Sequence, residues 1–429
     1  MIGIKADRGR GGQADPARRA PPRRPDRSGG HHHAAGPPSR AAPRERPGMS
    51  AAHPRGEPAG PVPAGGPDLR RAIRLPILAT AAAALLAGLW AGLWRLGLDL
   101  PRGSSLAALH GPLLICGLFG TLVGLERAVA LGRAWTFAAP WLSAAGTVAL
   151  LAGAPQAAGG FAYAAAALVL TAASLLAVGL QPAAFTATLA AGAAAWLAGC
   201  LLWARGAAVP DLAGWWLAFL VLTIAGERLE LSRLLPRRRG SLPAYLLAVA
   251  LVAAGALRGL AGPGAALLGA GLLGLTAWLA RHDVAGRGIR GRGQVRFMAA
   301  CMLAGYAWLG TAGLVLVALP PGEAAFGYDM ALHAVLIGFV LSMVFGHALV
   351  ILPAVARVRL RFSPLLYGPL ALLHGAVALR LGADLAGWEP GRRGSGLASA
   401  AALLAFALAL AVAAGQARDG AAAQDAAAP

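Results

Sequence analysis

Four histidines, His110, His333, His347 and His374, fall inside long apolar runs of this 429-residue chain. An ionisable ring is costly in lipid, so each is a candidate for metal or haem ligation, for proton transfer, or for a hydrogen bond that holds two helices together. Depth sorts them. If the runs are helices rising 1.5 Å per residue, His110 lies about 7 Å below one end of its span and His333 about 6 Å below the same side. His374, on a span running the other way, lies about 11 Å from that surface, so a compact site can gather all three. His347 sits about 21 Å beyond His333 and is rotated by only about 40°. That spacing suits two stacked haems, but the matching position after His110 is Gly124, which cannot ligate iron. Helix packing or a proton relay is the stronger reading for His347, and it stays with His374 as a further metal-ligand candidate.

Two adjacent acid and base pairs, Glu126 with Arg127 and Glu227 with Arg228, stand at the ends of apolar runs. Such pairs snorkel to the membrane surface, latch neighbouring loops, or admit protons. Their recurrence four runs apart is what an internal repeat would give, with the run holding His333 as its third member. Gly286, Gly288 and Gly291 make a literal GxGxxG, but no strand precedes it and its loop is rich in arginine, so a dinucleotide site is excluded. Cys116, Cys200 and Cys301 all lie inside apolar runs and read as small packing residues, since their spacing makes neither a disulfide framework nor a zinc site. His31, His32 and His33 sit in a Pro- and Arg-rich arm and read as incidental.

The elements that position these residues are helices in lipid. Apolar residues make up 57% of the chain and charged ones 13%, too greasy a mixture for a soluble bundle of this length. Runs of about 20 uncharged residues recur from Leu75 to Ala414, each long enough to cross about 30 Å of hydrocarbon. The fold class is therefore all-α, a polytopic membrane protein of about 12 spans. Residues 1–68 read as a disordered basic arm, 69–415 as the transmembrane domain and 416–429 as a short disordered tail. No signal-peptide core follows Met1, and Met49 is an equally good start.

The net charge of +20 does not mark a nucleic-acid binder, because the arginines lie in the arm and between the apolar runs. Arg127 and Arg133, then Arg228 to Arg239, Arg281 to Arg296 and Arg357 to Arg361 load alternate connections. Arg95, Arg102, Arg205, Arg258, Arg380, Arg392 and Arg393 fall on the others. Cytoplasmic loops carry the excess of basic residues, so both termini are expected in the cytoplasm and the protein in a bacterial inner membrane.

Two segments carry a resemblance. His110-Gly-Pro-Leu-Leu-Ile-Cys-Gly-Leu-Phe-Gly and His333-Ala-Val-Leu-Ile-Gly-Phe-Val-Leu-Ser, on the second and tenth of twelve spans, resemble the haem-binding helices of haem-copper oxidase subunit I and of its NnrS-type relatives. The resemblance implies a bundle of that type with one b-type haem between His110 and His333, a redox partner protein, and a link to nitric oxide or oxygen. The copper centre of the oxidases is not matched: the sixth span offers Trp215, Trp216, Thr223 and Glu227, the seventh has no histidine, and His333 stands between Ala331 and Val335. Terminal oxidase activity is therefore not expected. Copper enters only through His374 or His347.

The expected function is a membrane b-type haem protein for electron transfer or gas response. The alternative is a proton-coupled secondary transporter using Glu126, Glu227 and the histidines. Haem on the purified protein would separate the two.

Overall fold

The computed structural model describes residues 69–235, 239–356 and 358–426, so the N-terminal arm lies outside the described residues. Among the described residues, twelve helices are long and apolar enough to cross a membrane. They are α1 (Arg74–Arg95), α2 (Gly103–Leu131), α3 (Ala134–Leu151), α4 (Gln156–Leu180), α5 (Ala184–Ala204) and α6 (Val209–Leu231). The second half comprises α7 (Ser241–Arg258), α8 (Pro263–His282), α9 (Gly293–Ala318), α10 (Gly327–Ala354), α11 (Pro364–Ala386) and α12 (Glu389–Ala417). The described residues contain no strand. These features define a multi-pass helical membrane protein.

Helices form here because a backbone in hydrocarbon must satisfy its own N–H and C=O groups. Helix packing then follows residue size. α6 is the central helix, with 72% of its apolar window buried against 28% for α1, α7 and α12. Its Trp216, Phe219 and Leu222 are all fully enclosed. Leucines such as Leu86, Leu168, Leu257 and Leu404 stay exposed around the girdle, as lipid contact requires. α8 and α9 touch through Gly269 and Gly313: a Cβ on Gly269 would lie 2.7 Å from the carbonyl oxygen of Gly313, so only glycine permits that crossing.

α2 and α10 share a departure from α-helical winding. Leu113–Gly120 and Ala334–Leu341 are π-helical, eight residues each, and each begins within three residues of a histidine, His110 in α2 and His333 in α10. Widened turns of this kind favour functional sites. In α2 the Cys116 carbonyl inside the π-segment accepts the Ser143 hydroxyl of α3 at 2.8 Å, and Ser143 in turn accepts from Thr121 at 2.9 Å.

Several expected boundaries shift. α12 begins at Glu389 rather than near residue 396, because Glu389 and Arg392 are ion-paired on its first turns. Its helix also continues to Ala426, past the expected limit at 415, through a stretch of alanine, the residue that favours helix most. Arg228, Arg380, Arg392 and Arg393, which charge alone assigns to connections, all lie within helices. Arg228 and Arg380 are buried there because each turns inward to a protein partner.

Candidate functional site

His110 and His333 line one cavity of about 560 Å³. Its walls come from α1, α2, α5, α6 and α10, with Gln156 of α4, Arg380 of α11 and the start of α12 completing the lining. The lining is mostly apolar, including Leu89, Leu114, Ile115, Trp216, Leu332 and Leu336. A volume of this size is in the range of cofactor sites, about 300–1,000 Å³.

Each histidine is held in one tautomer by the main chain. His110 donates from Nδ1 to the carbonyl of Gly88 on α1 at 2.8 Å, and His333 donates from Nδ1 to the carbonyl of Asp329 at 2.8 Å. Among the described residues neither Nε2 lone pair has a hydrogen-bond partner. That is the arrangement of a ligating imidazole, whose other nitrogen is fixed by a carbonyl. Gly92 makes room for the first ring: a Cβ there would lie 2.6 Å from Cε1 of His110.

His374 has the opposite tautomer. Its Nδ1 accepts from the indole N–H of Trp308 at 2.9 Å, so its proton is on Nε2, which faces the Ser342 hydroxyl at 3.4 Å. Ser342 itself donates to the Cys301 carbonyl at 2.7 Å. His374 is not a cavity residue, and neither of its nitrogens offers a lone pair. The expected three-histidine cluster therefore does not assemble, because Trp308 draws the His374 ring between α9 and α10. His347 also lies apart from the cavity, donating from Nδ1 to the Met343 carbonyl at 2.7 Å. No group of three or more metal-ligating side chains occurs among the described residues.

Charge gathers on the side of the cavity lined by Asp329, Arg380 and Arg392. Arg380 donates to both carboxylate oxygens of Asp329, at 2.7 and 2.9 Å, and Asp329 lies 3.4 Å from Nδ1 of His333. Asp384, its side chain fully buried, takes Arg392 at 2.6 Å and Arg380 at 3.5 Å. Arg392 continues the ladder to Glu389 at 2.9 Å and stacks 4.3 Å above the Phe326 ring. With Arg95, the cavity lining carries three guanidinium groups and one carboxylate. Arg380 and Arg392 are engaged by Asp329, Asp384 and Glu389, which leaves Arg95 as the cation of this lining for an anionic group on an otherwise apolar ligand.

Sequence reasoning missed the ladder. Asp329 precedes His333 by one helical turn, and Arg380 lies six residues before the end of α11, signals hidden by counting arginines as loop markers. It also missed the meeting of Cys116 and Cys200, whose sulfurs lie 3.7 Å apart, with the Trp196 indole donating to Cys116 at 3.3 Å.

The two acid and base pairs do meet at the other end of the bundle. Arg127 of α2 reaches Glu227 of α6 at 3.9 Å, in a half-buried contact worth at most about 1 kcal/mol. Arg228 instead turns inward and donates to the sulfur of Met302 at 2.9 Å.

Fold and site together define a polytopic helical membrane protein with a histidine-lined cavity inside the membrane region. Over residues 74–415 the chain belongs to the family described as Domain of unknown function (DUF8744). No curated protein and no solved structure matches it.

Proposed function

We propose that the cavity holds one b-type haem between His110 and His333, and that the protein serves electron transfer or the response to a diatomic gas such as nitric oxide or oxygen. The observation that carries this reading is the pairing of two imidazoles on one cavity, each locked by a main-chain carbonyl with Nε2 left free. The donor set and the lining fit the group. Two neutral imidazoles suit iron, leucine and tryptophan suit an apolar macrocycle, and Arg95 suits a carboxylate on its edge.

Haem supplies reversible one-electron chemistry when bound. The chain's own residues orient it and exclude water. Gly88 and Asp329 fix the ring planes through their carbonyls, Arg380 holds Asp329 beside His333, and the Trp216 and Leu336 side chains keep the interior apolar. His374 and His347 have no ligand role in this reading. The orientation is that of a plasma (inner) membrane protein with both termini in the cytoplasm, the histidine cavity facing outward, and a redox partner protein docking at the outer face. Resemblance to the NnrS-type and haem-copper oxidase proteins supports the same assignment, without copper and without oxidase activity.

The test is an oxidised and dithionite-reduced visible spectrum of the detergent-purified protein, with a pyridine haemochrome assay for stoichiometry. Sharp reduced bands of a six-coordinate b haem, lost in both His110→Ala and His333→Ala, are expected. A folded, haem-free protein from cells supplied with haem would overturn the reading. The proton-coupled transporter, which draws on the Arg127–Glu227 contact at the opposite end, would take its place.

A further inference from the structure

At the arginine-rich end of the bundle, remote from the histidine cavity, polar side chains converge from four elements. Arg228 of α6, Asp283 of the α8–α9 connection and Tyr306 of α9 are 5%, 4% and 2% exposed. His347 of α10 joins them at the level of Met302. Gly346 lies against Cys301, and Gly305 against Met343, which sets α10 beside that stretch of α9. Arg228 is the hub, within electrostatic reach of Asp283, Tyr306 and His347.

These groups do not satisfy one another. Of the seven buried side-chain polar atoms without a hydrogen-bond partner among the described residues, three are here: Asp283 Oδ2, Tyr306 OH and His347 Nε2. The Tyr306 hydroxyl faces the Asp283 carboxyl without a direct bond. Arg228 bonds a thioether, a weak acceptor. Buried polar groups are nearly always paired, and several orphans around one gap mark ordered water, which needs two to four polar partners. Phosphate or another anion fits less well, because Asp283 would face it.

We propose that Arg228, Asp283, Tyr306 and His347 line a second, water-filled chamber that exchanges protons with the arginine-rich side of the membrane. Glu126 and Glu227 form its entry, since both carboxyls lie within electrostatic reach of Arg228 at the helix ends. Water in the chamber accepts from Tyr306 and Arg228 and donates to the His347 Nε2 lone pair. Burial raises the Asp283 carboxyl above the usual aspartate range, against the pull of Arg228 and the Ala285 N–H, and in this proposal that carboxyl carries the exchanged proton.

Two measurements on the full chain test this independently of haem. The first is hydroxyl-radical footprinting in ¹⁸O-water by X-ray pulse. Buried Tyr306 and Met302 are expected to be oxidised several-fold faster than Tyr163, which is equally buried but bonded to Thr147 in a dry core. Protection of Tyr306 and Met302 equal to that of Tyr163 would overturn the chamber. The second is infrared spectroscopy in H₂O and D₂O: a protonated-carboxyl band absent from Asp283→Asn is expected to shift on solvent exchange. Absence of that band, or its failure to exchange, would overturn the proton role.

Discussion

Arg380 grips Asp329 through two bonds of 2.7 and 2.9 Å, and so ties the last third of α11 to the first turn of α10, one helical turn before His333. The fork sets the height and rotation of the ring as well as joining two helices. Removing one partner of a largely buried ion pair leaves the other uncompensated, at about 3–5 kcal/mol. Arg380→Met is therefore expected to lower thermal stability by about 3 kcal/mol, the low end because Asp329 is partly exposed. It should also broaden the haem spectrum. A circular-dichroism melt beside the visible spectrum measures both, and an unchanged melt would show the fork to be incidental.

Gly92 has a narrower role. Alanine there would press on the His110 ring at 2.6 Å and break its bond to the Gly88 carbonyl, while the backbone stays helical and accepts alanine readily. Gly92→Ala is expected to retain the fold and lose most of the haem proposed for the cavity. Full haem content in this variant would place the His110 ring elsewhere than its bond to Gly88 implies.

His374 offers the opposite test. It accepts from Trp308 and presents no free lone pair, so His374→Ala is expected to keep the haem spectrum of the parent. Stability should fall by about 1–3 kcal/mol, because the buried indole N–H loses its acceptor. Loss of haem in His374→Ala, with His333→Ala unaffected, would reverse the ligand assignment.

Asp283 gives the pH dependence a sign. Burial holds its carboxyl protonated to higher pH in the folded chain than in the unfolded one, and outweighs the opposite pull of Arg228, the Ala285 N–H and Tyr306, which face it. The folded state therefore binds more protons through that window. Stability falls as pH rises from the ordinary aspartate range, about 3.9, and levels off once the folded carboxyl has titrated. Asp283→Asn removes this loss, so the variant should gain on the parent with rising pH. Melts across the acid-to-neutral range measure the difference, and parallel curves would refute it.

Much of this was legible in the residues. Lipid demands apolar side chains and self-satisfied backbone, so the runs from Leu75 to Ala414 specify twelve helices without reference to packing. The matched depths of His110 and His333 likewise follow from helical rise alone, which is why the pair that lines the cavity was readable in advance.

What the sequence could not settle is the facing of side chains between helices far apart in the chain. Depth placed His374 with the other two, but the Trp308 indole turns it away. Charge counted Arg228 and Arg380 as loop residues, yet each enters the bundle to meet Met302 or Asp329. The π-segment that follows His110 and the 3.7 Å approach of Cys116 to Cys200 go with how α2 packs against α3 and α5. Rise per residue fixes height along a helix. Rotation and neighbours are decided only when all twelve helices pack together, because small residues set which faces can approach.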